Sequence, residues 1–229
     1  MKPNIVYRIV HFIARSFFKL YGQWELVDYH KMPYMGPVIA APNHISFLDP
    51  LMAGAAITRE CAFMARHDLW DNKLIAWFMP RLGAFPVNRG KPDRGAIRHS
   101  LAALEDGLCL VMFPEGGRSR EGTLQLAEPG VALIVLKSGA PVVPMAVIGS
   151  HEMLPVGASK LQRTPLKVVF GDPITFAPDA PRDEILRTIM RAIAALLSAH
   201  GVPTVASEDR ETLGSETCDA AETPAESSA

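Results

Sequence analysis

Two short stretches of this 229-residue chain combine residue types that move protons and hold anions. The first is Asn43-His44-Ile45-Ser46-Phe47-Leu48-Asp49-Pro50. A carboxylate on one imidazole nitrogen fixes the tautomer and supports the imidazolium that forms when the other nitrogen takes a proton. His44 with Asp49 five residues on is therefore a candidate general base for activating a hydroxyl. A plainer reading stands beside it: Asp49 as the N-cap of a helix opened by Pro50, and His44 as a loop histidine. The second stretch is Phe113-Pro114-Glu115-Gly116-Gly117-Arg118-Ser119-Arg120, two glycines and two arginines after an apolar run. Glycine lets backbone approach an anion closely, and guanidinium matches phosphate bidentately. Glu115 is placed to hold an arginine or to meet an acceptor hydroxyl, and a solvated charged turn is the alternative. Arg89, closing the segment 83–89, is a further candidate phosphate ligand. A GxSxG nucleophile elbow is missing, which sets a serine hydrolase aside. No His/Cys cluster has metal-ligand spacing, so no metal is expected.

These residues need a scaffold, and the chain reads as alternating strands and helices. Apolar runs at 38–41, 62–65, 85–88, 108–113, 141–148 and 166–170 read as strands. Helical patterns fall at 49–56, 71–79, 96–104, 128–137 and 182–197, the last with Ile185, Ile189, Ile193 and Leu196 on one face. That alternation predicts an α/β domain: a mostly parallel central sheet flanked by helices. His44 and Glu115 then sit where strands end, the place where α/β folds bind ligands. Residues 4–21 read as an amphipathic helix. On a helical wheel Val6, Val10, Ile13, Phe17 and Leu20 form one stripe, widened by Ile5, Ile9, Phe12 and Phe18. Arg8, His11, Arg15 and Lys19 fall opposite. Such a helix suits a bilayer interface, apolar arc in the acyl boundary and cations among the phosphates. A terminal helix packed on its own domain is the alternative. The segment 74–79, with Trp77 and Phe78 beside Lys73 and Arg81, has an interface-like composition too.

The domain organisation expected is an N-terminal amphipathic segment at 1–30, an α/β domain at 31–200 and an acidic disordered tail at 201–229. The tail carries seven acidic side chains against Arg210, a balance of −6, so the net charge of −1 leaves +5 on residues 1–200. A mildly basic body suits anionic lipid, phosphorylated substrates or coenzyme A and does not argue for nucleic acid. Cys61, Cys109 and Cys218 form no CxxC and no even framework, so free thiols in a reducing compartment are expected. No 18-residue uncharged apolar run reads as an ordinary membrane span. No secretory cleavage pattern is apparent.

Taken together and in order, these blocks resemble the glycerolipid acyltransferase family that contains 1-acylglycerol-3-phosphate acyltransferase. Asn43-His44 through Asp49 matches its NHxxxxD block, and 113–119 matches its FPEGTRS block. Residues 83–89 look like its second block, with Asn88 where an acidic residue is common, and Gly130 and Val143-Pro144 match later positions. The resemblance covers about residues 35–175. It implies that His44 deprotonates the acceptor hydroxyl, oriented by Asp49. It also implies that Arg89, Glu115, Gly116 and Arg118 bind the acceptor's glycerol phosphate. The acyl donor would be acyl-CoA or acyl-ACP, with no covalent acyl-enzyme and no bound cofactor. The acceptor would be a lysophospholipid, 1-acyl-sn-glycerol 3-phosphate, giving phosphatidate. The site of action would be an anionic membrane surface, with the protein peripheral on the cytoplasmic face of the cell membrane. Gly117 stands where the family usually has threonine, which opens the alternative of another lysophospholipid or hydroxylated lipid acceptor. A non-catalytic lipid-binding module is the alternative of a different class.

Overall fold

The computed structural model describes residues 5–88, 93–119, 123–155, 158 and 160–204. Among these, seven strands form one sheet: β1 (Glu25–Val27), β2 (Val38–Pro42), β3 (Cys61–Arg66), β4 (Ala84–Val87), β5 (Cys109–Val111), β6 (Val142–Ile148) and β7 (Lys167–Phe170). Their order is β1-β7-β6-β2-β5-β3-β4, and every neighbouring pair is parallel except β6–β7. Seven α-helices accompany them: α1 (Ile5–Tyr21), α2 (Asp49–Ala56), α3 (Lys73–Phe78), α4 (Arg94–Glu105), α5 (Pro129–Ser138), α6 (Ser150–Met153) and α7 (Arg182–Ala199). The α/β architecture with a mostly parallel sheet is as expected. β1 is the addition: three residues on the sheet edge, too short for a periodicity, and it lies within the 1–30 stretch expected as a helical segment.

Strand alternation sorts the core into two layers. Val38 and Ala40 of β2 face α1 and α2, meeting Phe18, Met52, Ala53 and Ala56. Ile39 and Ala41 face the other way, toward Leu104 of α4, Ile134 of α5 and Ile185, Ile189 and Ile193 of α7. With both faces covered, the strand is apolar throughout rather than alternating. β2 and β5 are neighbours, yet their chains leave in opposite directions. β2 continues through α2 on one face to β3, and β5 through α5 on the other face to β6. The parting of two adjacent strands at their carboxyl ends opens a crevice there.

α1 is a helix over the expected span, but its inward side differs from the expected one. The helical wheel expects Arg8, His11, Arg15 and Lys19 together among lipid headgroups, whereas His11 and Arg15 face the protein. Arg15 Nη1 donates to Ala55 O at 3.1 Å and His11 Nε2 to Ile57 O at 3.0 Å. Tyr7 Oη donates to Arg59 O at 3.4 Å. The last carbonyls of a helix have no partner within it, so α1 supplies donors to the end of α2 and runs antiparallel to it. Ile5, Ile9, Phe12, Ile13 and Leu20 are left on the outside, with Arg8 and Lys19 beside them. Phe12 is 70 % exposed. No described helix is long and apolar enough to cross a membrane.

Candidate active site

β2 ends at Pro42, which has no N–H to continue the ladder to β6. The side chain of Asn43 continues it instead. Its Nδ2 donates to Val147 O at 3.1 Å, and Val147 N donates to its Oδ1 at 2.7 Å. This clamp fixes the chain one residue before His44. A residue of this kind is signalled only by an Asn directly after a strand-ending proline, and sequence reading gave it no role.

The loop then curls around the Asp49 carboxylate. Asp49 Oδ2 accepts from Ile45 N and Ser46 N, both at 2.6 Å, and lies 3.0 Å from His44 Nδ1. Asp49 is therefore not the N-cap; Leu48 occupies that position without a side-chain cap. Its carboxylate turns back to order residues 44–46, and Oδ1 is buried without a hydrogen-bond partner among the described residues. An oxygen already taking two amide protons acts as an acceptor, so Nδ1 carries the ring proton and Nε2 holds the lone pair. Phe113, at the end of the neighbouring strand β5, stacks on the imidazole with centroids 4.1 Å apart. The ring is thus held at one nitrogen and on one face.

The 113–119 loop is tied to the His44 loop along its length. His44 N donates to Glu115 Oε1 at 2.7 Å, and Ser119 N donates to His44 O at 2.9 Å. Gln125 N donates to Glu115 Oε2 at 2.9 Å. Glu115 is buried and each of its oxygens serves a backbone amide, so it braces the two loops where sequence reading expects a contact with the acceptor. Gly116 has φ of +64°, and a Cβ there would lie 2.4 Å from Glu128 Cγ, so the turn admits only glycine without rearrangement. The guanidinium of Arg118 lies 3.4 Å from the centroid of the Phe47 ring. His44, Asp49, Glu115, Gly116 and Arg118 are thus brought together in the β2/β5 crevice. Arg89 lies outside the described residues. The flanks of that segment are joined: Asn88 donates from its backbone N and its Nδ2 to Asp93 Oδ2, each at 2.9 Å. An acidic side chain at 88 would face that carboxylate, whereas asparagine offers it donors. β4 ends at the same edge of the sheet as β2, three strands away, or about 14 Å at ordinary strand spacing.

The family model described as Acyltransferase matches residues 24–148, more than half of the chain. The chain belongs to the acyltransferase family. It is 27% identical over 176 residues to the chloroplastic 1-acyl-sn-glycerol-3-phosphate acyltransferase BAT2 of Brassica napus, covering 72% of this chain and 50% of that protein. It is also 27% identical over 177 residues to the 1-acyl-sn-glycerol-3-phosphate acyltransferase of Bacillus subtilis (strain 168), covering 76% and 86% respectively. The chain spans about half the length of the plant relatives it matches. The crystal structure of the 1-acyl-sn-glycerophosphate acyltransferase PlsC from Thermotoga maritima superposes with a TM-score of 0.69 over 83% of this chain and 79% of that one, at 20% identity. That likeness shows the fold.

The bracing carboxylate of this acyltransferase has a pH signature. Burial, with the charge of Asp49 adding to it, pushes the Glu115 carboxyl up from 4.5 to about 7, against the two amide hydrogen bonds that pull it down. A folded-state value above the unfolded one means the folded protein holds the extra proton in between. Stability contributed by this group therefore falls as pH rises from about 4.5 to about 7. A Glu115→Gln variant leaves one of the two amides facing an amide N–H, a cost of about 1–3 kcal/mol, but lacks that pH dependence. The stability gap between wild type and variant is expected to narrow as pH is raised from about 5 to about 8. Urea unfolding across that range measures it, and a gap that stays constant removes Glu115 as the titrating brace.

Proposed function

We propose that this chain transfers an acyl group from an acyl-thioester to the free hydroxyl of 1-acyl-sn-glycerol 3-phosphate, with His44 as the base. The observation that carries the reading is the His44 ring, held by Asp49 at Nδ1 and by Phe113 on its face, in a loop bonded directly to the one that bears Arg118. The acceptor hydroxyl gives its proton to Nε2 as its oxygen attacks the thioester carbonyl. The tetrahedral adduct collapses, the carbon–sulfur bond breaks and the departing thiolate takes the proton back from Nε2. No side chain is acylated. Arg118, with Arg89 as the further phosphate ligand, meets the phosphate of the acceptor, and the turn at Gly116 lets the backbone come near it. Asp49 supports the imidazolium between the two proton transfers. The donor is acyl-CoA or acyl-ACP, and the product is phosphatidate.

The test is a panel of acceptors in mixed micelles, read as thiol release from acyl-CoA together with formation of the acylated lipid. Lysophosphatidate is expected to be used at least about ten-fold better than lysophospholipids whose phosphate is a diester, since loss of a bidentate charged contact is worth about 1.5–3 kcal/mol. A preference for diester acceptors would move the assignment to another lysolipid. Binding of lysolipid without any thiol release would make the chain a lipid-binding module.

The acceptor resides in a bilayer, and α1 is the proposed contact with an anionic membrane surface on the cytoplasmic face. Its outward side carries Ile5, Ile9, Phe12, Ile13 and Leu20 beside Arg8 and Lys19, while His11 and Arg15 are spent on α2. Exchange of both Ile9 and Phe12 for glutamate is expected to lower co-flotation with anionic vesicles by more than about ten-fold, since each apolar side chain buried in lipid is worth about 1.5–3 kcal/mol. Both positions are exposed, so the melting temperature should hold. Unchanged flotation would leave α1 as a packed terminal helix.

A further inference from the structure

The His44 loop and the 113–119 loop meet through hydrogen bonds, through Phe113 on the imidazole and through Arg118 on Phe47. The hydrogen bonds His44 N to Glu115 Oε1 and Ser119 N to His44 O are buried and fix the loops against each other. Phe113 on the imidazole fixes the ring. The stack of Arg118 on Phe47 lies outside this framework, since the Phe47 ring is 66 % exposed and packs into neither core layer. Leaving a phenylalanine in water forgoes its burial energy, so packing does not account for it.

We infer that Phe47 is a positioning residue that holds the Arg118 guanidinium beside His44 to receive the phosphate of the acceptor, and so tunes the enzyme for phosphate-monoester lysolipids. The inference rests on the acceptor reading proposed above. A guanidinium has its five donors in its plane, and stacking on an aromatic ring engages its face and uses none of them. Phe47 lies in sequence between the base and its carboxylate, three residues after His44 and two before Asp49, so the ring is carried by the loop that Asp49 orders. Arginine and base are thereby referred to one frame. In lysophosphatidate the free hydroxyl and the phosphate ester sit on adjacent glycerol carbons, so fixing the arginine relative to Nε2 fixes the hydroxyl. The other guanidinium–ring stack among the described residues, Arg81 over Trp77 at 3.8 Å, joins residues four apart and bridges no site. The Phe47–Arg118 stack joins two loops 71 positions apart in sequence, across the crevice.

Phe47→Leu, Phe47→Trp, Arg118→Ala and the Phe47→Leu/Arg118→Ala double variant separate the possibilities. Each is assayed with acyl-CoA and lysophosphatidate at fixed mole fraction in mixed micelles, so that membrane docking is not limiting. Leucine keeps an apolar side chain but has no ring quadrupole. The KM for lysophosphatidate is expected to rise about five-fold in Phe47→Leu, with kcat and the KM for acyl-CoA within about two-fold of wild type. Tryptophan should restore it. In the Arg118→Ala background Phe47→Leu should add nothing, because the partner is already gone. If Arg118→Ala raises the acceptor KM and Phe47→Leu does not, the positioning role is overturned while the acceptor reading stands. If Arg118→Ala leaves that KM unchanged, the acceptor reading itself falls and the inference falls with it. A fall in kcat at unchanged KM in Phe47→Leu would mean that the ring acts on the His44 loop, which also overturns the inference.

Discussion

Replacing His44 by alanine is expected to lower turnover with an acyl-thioester and lysophosphatidate by about three orders of magnitude. General-base catalysis by a placed imidazole contributes about 10²–10⁴ in rate, and Nδ1 held by Asp49 with Phe113 under the ring puts this case in the middle of that range. The fold should survive. Asp49 Oδ2 keeps its two amide donors, Ile45 N and Ser46 N, and the loop keeps its bonds from His44 N to Glu115 and from Ser119 N to the backbone carbonyl at 44. None of these needs the imidazole. KM for the acceptor should change little, because the Arg118 guanidinium stacks on Phe47, whose place in the loop does not need the imidazole. The residual activity of the variant should climb steadily with pH, since solvent base takes over the proton transfer. Single-turnover assays alongside a thermal melt check the two halves together. Turnover near that of wild type would end the base assignment, and an unfolded variant would show the ring to be structural.

How much of this site was legible in the sequence depends on how far apart its partners lie. His44 and Asp49 are five residues apart with a helix start between them, so their meeting follows from local geometry. The bond from His44 N to Glu115 spans 71 positions and depends on β2 lying next to β5, a neighbour relation that an alternation of strands and helices does not state. For that reason the sequence offers Glu115 as a ligand for the acceptor but does not reveal that its oxygens also accept from the amides of His44 and Gln125. The same limit hid the stack of Phe47 on Arg118, two residues already named for other reasons or for none. α1 shows a different limit. The helical wheel finds a helix and its two sides, but it ranks sides by hydropathy. The end of α2 offers unpaired carbonyls at Ala55 and Ile57, and His11 and Arg15 satisfy them. Hydrogen bonding to these carbonyls, together with burial of Phe18, set which side turned inward. Long buried strands such as β2 and β6 were legible because both faces are covered and the run is apolar throughout; β1, with three residues at the edge, offers no such run.

Exchange of Asp49 for asparagine separates what the carboxylate does by charge from what it does by position. Oδ2 sits where three donors converge: Ile45 N, Ser46 N and His44 Nδ1. Two of these are backbone amides that cannot turn away, so an asparagine must present its oxygen there and its amide nitrogen at the place of Oδ1, which has no partner among the described residues to lose. His44 Nδ1 still meets an acceptor, and the tautomer that leaves the lone pair on Nε2 is retained. In the serine-protease triad the corresponding exchange costs about 10⁴ because the imidazole is held in the wrong tautomer. Here only the electrostatic support of the imidazolium is removed, so turnover is expected to fall by about a hundred-fold, less than for loss of the base itself. Acceptor KM should hold. Asp49→Ala is the counterpart: it strands both amides and releases the ring to rotate, so it should lose about as much activity as His44→Ala and be less stable by about 2 kcal/mol or more. The order of the three variants carries the argument. Asparagine as damaging as alanine would mean that the two backbone amides do not dictate which atom faces His44. Asparagine as active as wild type would mean that no positive charge builds on the imidazole, and the proton-transfer role of His44 would go with it.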